Sequence, residues 1–288
     1  KKVDALTQKQ KISIYGQEYN HTTWQLAAMN MVIRGLDFNF GKKNSDTFLD
    51  DQHPDLRADF VMANPPFNVD DVDAEKIKND PRLPFGLPGV NKKGSVSNGN
   101  YLWISYFYSY LNKEGRAGFV MSSQASSAGG QEAEVRRKLV ESGHVGAMVA
   151  IRSNFFYTRS VPCELWFFNK NKPAHMKDKV LMLDARNVYT KVTRKIYDFS
   201  PEQLANLTSI VWLYRGENDR FLQLTENYLE RTLAEAKTSK EQMDGFIAGL
   251  DELIGKLPKV DEETQSAFEL LGKDINAFGA SIDTSAKA

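Results

Sequence analysis

From residue 10 to residue 170 the chain alternates short apolar runs with stretches whose apolar residues recur every three or four positions. This is the texture of strands and helices in an α/β sheet. Lys11-Ile12-Ser13-Ile14-Tyr15-Gly16 reads as a strand. Asn20 is placed to cap a helix with Trp24, Ala27, Ala28, Met31 and Val32 at helical spacing, stopped by Gly35. Ala58–Ala63 is a strand, and residues 101–111 form a bulky aromatic helix closed by Asn112-Lys113-Glu114-Gly115. The aromatic rings of that helix suit a core better than a base-stacking platform. Residues 117–121, 145–151, 162–168 and 179–184 are further strands, with a helix over 131–142. Residues 68–99 are rich in Asp, Pro, Gly, Asn and Lys and read as one long loop. Such loops in compact domains are usually functional or mobile.

The texture changes at Ser200. Ser200-Pro201-Glu202-Gln203 combines a hydroxyl cap, a proline at the first helical position and a reciprocal glutamine. Leu222, Leu229, Leu233 and Ala236 make one apolar stripe, and Met243, Phe246, Ile247, Leu250, Leu253, Ile254 and Leu257 a second after Lys240. Two such helices pack as an antiparallel hairpin or dock on helices of another chain. Residues 279–288 read as a frayed tail. The expected division is an α/β domain over 1–198 and a helical region over 199–288.

Charge narrows the choice of partners. The 288 residues hold 37 Lys+Arg and 37 Asp+Glu, so no global basic character announces nucleic acid. The distribution is uneven, with ten Lys/Arg in residues 152–195 against Glu164, Asp178 and Asp184. A basic middle of this kind faces phosphates or solvent. Residues 217–269 hold thirteen acidic and six basic side chains, which suits solvent or a basic partner. The single Cys163 and four scattered histidines lack ligand spacing, so no metal is expected. No stretch suits a membrane span, and a cytoplasmic location is expected.

The most informative tetrapeptide is Asn64-Pro65-Pro66-Phe67, directly after the Ala58–Ala63 strand. The amino nitrogen of adenine is a poor nucleophile because its lone pair is delocalised into the ring. It attacks a methyl sulfonium well once two acceptors hold its hydrogens. The Asn64 side-chain oxygen and the Pro65 carbonyl offer such a pair, on a turn that Pro65 and Pro66 keep extended. Phe67 offers a flat face to an extruded base. The plainer reading is a strand end followed by a rigid turn. No cysteine neighbours the tetrapeptide, which speaks against a covalent enzyme intermediate.

Ile14-Tyr15-Gly16-Gln17-Glu18, Thr22-Thr23-Trp24, Met29-Asn30, Ile33-Arg34-Gly35, Asp46-Thr47-Phe48 and Asn64-Pro65-Pro66-Phe67, with Ile210–Gly216, resemble one family. It is the modification subunit of type I restriction–modification systems, which methylates adenine in DNA from S-adenosylmethionine. The likeness covers most of residues 10–215. It implies a Rossmann-like methyltransferase sheet over 1–198 and a C-terminal helical region, 199–288, for subunit assembly. It also implies that Glu18 receives the ribose hydroxyls of the methyl donor and Asp46 lies near the donor's adenine. Asn64, Pro65, Pro66 and Phe67 are the catalytic corner, and Phe156, within Phe155-Phe156-Tyr157, packs against the target base. The implied partners are double-stranded DNA, a specificity subunit, a nuclease subunit and a second modification subunit.

One departure stands out. The family's glycine-rich turn after its first strand should precede Glu18, yet residues 1–15 contain no glycine. That strand normally lies between the second and fourth. The expectation is therefore a piece of a longer subunit, its first strand missing, that does not methylate alone. Two rivals stay open: an assembly module that docks on the specificity subunit, and a methyltransferase acting on RNA or protein glutamine.

Overall fold

The computed structural model describes residues 11–156, 160–256 and 259–285. Backbone contacts divide the chain into two units, Lys1–Gln203 and Leu204–Ala288.

The first unit opens with β1 (Ser13–Tyr15), α1 (His21–Arg34) and β2 (Asp37–Asn39). Asn20 caps α1 by accepting from the Thr23 amide, and Gly35, at φ 62°, closes it in the left-handed region where glycine carries no steric penalty. β1 and β2 pair in parallel as a two-stranded sheet of their own. The expected inward stripe of α1 is only half-buried at Trp24, Ala27, Ala28 and Met31, and Val32 is exposed.

The main sheet has five strands: β3 (Ala58–Ala63), then, past β4 (Val72–Asp73) and β5 (Ser95–Val96), β6 (Leu111–Ser122), β7 (Val145–Ile151), β8 (Cys163–Asn169) and β9 (Leu181–Asp184). Their spatial order is β3-β6-β8-β7-β9, with β8 antiparallel to both neighbours and the other pairs parallel. β3, β6 and β7 therefore end on the same edge. β3 closes one side of this sheet, and the β1–β2 pair is not bonded to it. Val61 and Ala63 pack on the core, whereas Phe60 and Met62, on the opposite face, are 72% and 89% exposed.

β6 starts earlier than its apolar run. The segment Asn112–Gly115, read as a helix closure, is a bulge: the pairing with β3 jumps from Ala58–Leu111 to Phe60–Arg116. A Cβ on Gly115 would stand 2.9 Å from the Ala58 carbonyl, so the crossing needs glycine. Two core clusters meet at α3 (Asn100–Tyr110). One joins Tyr101, Ile104 and Phe107 to Phe119, Trp166 and Phe168 of the sheet and to Val135 and Leu139 of α5 (Gly130–Glu141), which follows the short α4 (Gln124–Ser127). The other joins Leu102 and Tyr106 to Phe48, Val72 and Val96. The aromatics of α3 are core residues. Residues 68–99 are also more ordered than a loop, because β4 and β5 pair across them and enclose α2 (Ala74–Ile77). After β9 comes the small hairpin of β10 (Thr190–Lys191) and β11 (Tyr197–Asp198).

The second unit is helical. α6 (Pro201–Arg215) begins with the expected reciprocal cap, in which Gln203 Oε1 accepts from the Ser200 amide and Ser200 Oγ from the Gln203 amide. The two apolar stripes, 222–236 and 243–254, do not form two helices, and Leu257 lies outside the described residues. They lie on one helix, α7 (Asn218–Lys256), and the partner of α7 is α8 (Glu262–Ser285). Of residues 279–288, read as a frayed tail, 279–285 are the last turns of α8, with Ile282 buried, and 286–288 lie outside the described residues.

Candidate active site

β3 delivers Asn64 to the edge of the sheet. Asn64 is exposed, Pro65 buried, Pro66 exposed and Phe67 half-buried against the core. Asn64 is thus an exposed residue at a corner whose next residue is buried and anchored. Asn68, with φ 55°, turns the chain sharply after Phe67. Its amide nitrogen donates to Asn100 Oδ1, and its Oδ1 accepts from the Asn98 and Asn100 side-chain nitrogens, all at 2.9 Å. Three asparagines thus lock the corner to the start of α3. Asparagine tolerates the left-handed region better than most residues, which suits it to this turn.

Glu18 and Asp46 are brought together. The Ser45 amide donates to the Glu18 carbonyl at 2.9 Å, so the end of β1 runs beside the loop that carries Asp46. Glu18 Oε1 accepts from the Asn20 amide, and Asp46 Oδ1 accepts from the Phe48 amide in a local turn. Among the described residues each carboxylate keeps its other oxygen without a partner. Gln17 holds the loop as a clamp: its Nε2 donates to Ser45 Oγ and the Asp50 carbonyl, and its Oε1 accepts from the Gln52 amide.

The two clusters share a wall. Phe48, two residues past Asp46, packs with Val69, and a Cβ on Gly99 would meet the Val69 carbonyl at 3.2 Å and Phe48 at 3.6 Å. A buried network stiffens the same loop. Arg82 is 6% exposed, donates to both Asp80 oxygens and to the Thr47 carbonyl, and lies 3.9 Å over the Tyr106 ring. Burial alone would raise the Asp80 carboxyl, but the side-chain and backbone hydrogen bonds from Arg82 outweigh it and hold the group below its ordinary value.

Phe156 is the outlier. It follows β7 on the edge that carries Asn64, and it is half-buried. Three strand spacings separate β3 from β7 in the sheet, roughly 14 Å at the usual interval between strands. Its neighbour Phe155 packs against Phe199 with ring centres 4.6 Å apart. Tyr157 lies outside the described residues.

The family model described as N-6 DNA Methylase matches residues 1–230. The chain belongs to the N-6 DNA methylase family. It is 39% identical over 197 residues to the HindI methylase subunit of a type I restriction enzyme from Haemophilus influenzae, covering 68% of this chain and 43% of that one. It is 38% identical over 213 residues to the MjaIX methylase subunit from Methanocaldococcus jannaschii, covering 73% and 37%. The chain thus spans about two fifths of the length of these relatives. The crystal structure of a type I restriction-modification methyltransferase subunit from Streptococcus thermophilus shares the fold, with a TM-score of 0.60 at 23% identity, over 69% of this chain and 42% of that one.

Within this N-6 DNA methylase chain, the supporting residues were harder to anticipate than the motif. Asn68, Asn98 and Arg82 sit in the stretch read as a loop, with Asn100 just past its end, and only the density of asparagine there hinted at side-chain locks. Cys163, at the start of β8 on the active edge, is buried, which together with Glu164 pushes its thiol up to about 11. It is no nucleophile at neutral pH.

Proposed function

We propose that this chain forms the catalytic face of a modification subunit that methylates the exocyclic amino nitrogen of an adenine flipped out of double-stranded DNA. The supporting observation is the exposed Asn64 on a corner held by buried Pro65 and the Asn68–Asn100 lock. Glu18 and Asp46 fit the ribose and adenine ends of S-adenosylmethionine, since each keeps a free carboxylate oxygen. When bound, that donor supplies an electrophilic methyl group. Asn64 Oδ1 and the Pro65 carbonyl accept the two amino hydrogens, which draws the nitrogen lone pair out of the ring. As the new carbon–nitrogen bond forms, the donor's methyl–sulfur bond would break with its electron pair going to sulfur, leaving a neutral thioether, and one of those protons leaves to solvent, with no covalent bond to the protein. Phe67 and Phe156 pack the extruded base. A specificity subunit reads the sequence, and a second modification subunit and a nuclease subunit complete the complex.

Asn64→Ala in the whole subunit is expected to lower the methyl-transfer rate by roughly 100-fold, the usual cost of one transition-state hydrogen-bonding group. Turnover within a few-fold of the unaltered subunit would reject the role.

A second role is favoured by the long helix. Leu222, Leu229, Phe246 and Leu253 of α7 remain exposed, and such a stripe docks on helices of a partner. Deleting residues 217–288 is expected to abolish co-purification with the specificity subunit. Retained co-purification would place the docking surface elsewhere.

A further inference from the structure

The end of the basic stretch forms one feature of the fold. β10 and β11 form a hairpin in which Thr190 faces Asp198 and Lys191 faces Tyr197, and its tip is closed by the Val192 and Thr193 amides donating to the Ile196 carbonyl. Lys191, Arg194 and Lys195 are exposed on this finger. Among the described residues none of the three has a carboxylate partner. The contrast with Arg186, which is bonded to both Asp184 oxygens at 2.8 and 2.6 Å, is clear. The single acid of the hairpin, Asp198, spends Oδ1 on the Phe199 amide. Three cations therefore face one carboxylate.

The root of the hairpin is built rather than floppy. The Arg152 guanidinium lies 4.1 Å over the Tyr189 ring and 4.7 Å over the Tyr197 ring, and the two rings are 4.8 Å apart. Arg152 Nε is buried without a hydrogen-bond partner. The Tyr197 amide donates to the Asn154 carbonyl at 2.9 Å. Asn154, at φ 73°, lies in the turn that leads from β7 to Phe156. The charged finger is thus pinned to the segment next to the residue proposed to pack the target base, on the edge of the sheet that carries Asn64. Arginine stacked on tyrosine is pre-oriented and weakly hydrated, and its planar fork suits phosphate oxygens.

We propose that the β10–β11 hairpin grips the phosphate backbone of duplex DNA beside the flipped base, with Lys191, Arg194 and Lys195 on phosphates and Arg152 holding the finger in place. The choice of duplex DNA over another polyanion rests on the function proposed above. The finger itself rests on the geometry of Arg152, Tyr189 and Tyr197.

The test is fluorescence anisotropy of a labelled duplex titrated with the full chain at several salt concentrations. Each lost phosphate contact lowers the slope of log affinity against log salt by about 0.9. The triple substitution Lys191→Gln, Arg194→Gln and Lys195→Gln is expected to lower the slope by about 2 to 3. The deficit of the variant relative to the unaltered chain should then shrink by roughly 40-fold between 50 and 200 mM salt. Arg152→Lys, which keeps the charge and loses the stacked plane, is expected to weaken binding with a smaller change in slope. An unchanged slope in the triple variant, or no binding by the unaltered chain at 50 mM salt, would overturn the proposal. Tighter binding of a duplex RNA of equal length would overturn the assignment to DNA. The two proposals fail separately. A lost slope alongside normal turnover of Asn64→Ala rejects the catalytic corner alone, and the converse rejects the finger alone.

Discussion

Arg82 offers the sharpest test of how the candidate site is held. Its side chain and that of Asp80 are 7% and 11% exposed, and the pair sits against Tyr106 and Tyr110 under the loop that carries Asp46. Arg82→Ala removes the donors to both Asp80 oxygens. The carboxylate keeps only the Tyr106 hydroxyl and the backbone amide of residue 82, and the Thr47 carbonyl loses its partner. Breaking one side of a buried pair costs about 3–5 kcal/mol, because a desolvated charge is left behind. Whole domains are stable by only about 5–15 kcal/mol, so the first unit would be close to unfolding. Arg82→Met and Asp80→Asn together leave only Asp51, 18% exposed and 3.6 Å from Arg82 Nε, without its cation, and are expected to cost less than Arg82→Ala alone. Urea unfolding followed by tryptophan fluorescence measures both, since Trp103 packs 4.4 Å from Phe48 on the loop in question. A cooperative transition for Arg82→Ala displaced by less than about 1 kcal/mol would refute the network's role. So would a double variant as unstable as the single one.

Phe67→Ala should weaken capture of an extruded base, seen as a smaller fluorescence rise from 2-aminopurine at the target position, and an unchanged rise would remove stacking from its role. His144 supplies a pH test. Its pKa is held below the ordinary 6.5 by burial and by Lys170, Lys177 and Lys172, and its Nδ1 is 2.8 Å from the Tyr108 hydroxyl. The unfolded chain therefore takes up a proton first as pH falls, so stability is full above about 6.5 and declines below it. His144→Gln is expected to flatten that decline in urea midpoints measured between pH 7.5 and 5, and parallel curves for the two proteins would refute the assignment.

Much of this architecture could be read from residues because the relevant signals are local. Asn20 and Gly35 bracket α1, Ser200 and Gln203 open α6, and the edges of β3 and β7 coincide with their apolar runs. The single long α7 was hidden by Thr238 and Ser239, which look like a break between two stripes. Their hydroxyls instead donate to the Ala234 and Glu235 carbonyls one turn back, so the helix passes through. No helix was read over 262–278, and the last turns of α8 are rich in small and polar residues, with Gly279 and Ile282 buried among those described. At the site, the place of Asn64 at the end of β3 followed from its motif. The Arg82 network and the asparagine lock did not, since each depends on partners about thirty positions apart.

The position of β3 has a practical consequence for handling the protein. A strand that has no pairing partner along one side among the described residues, with Phe60 and Met62 uncovered above it, is a template on which another chain can lay itself. Concentrated solutions of this chain will be prone to oligomers and precipitates seeded there, and a charged residue in place of Met62 is the simplest remedy.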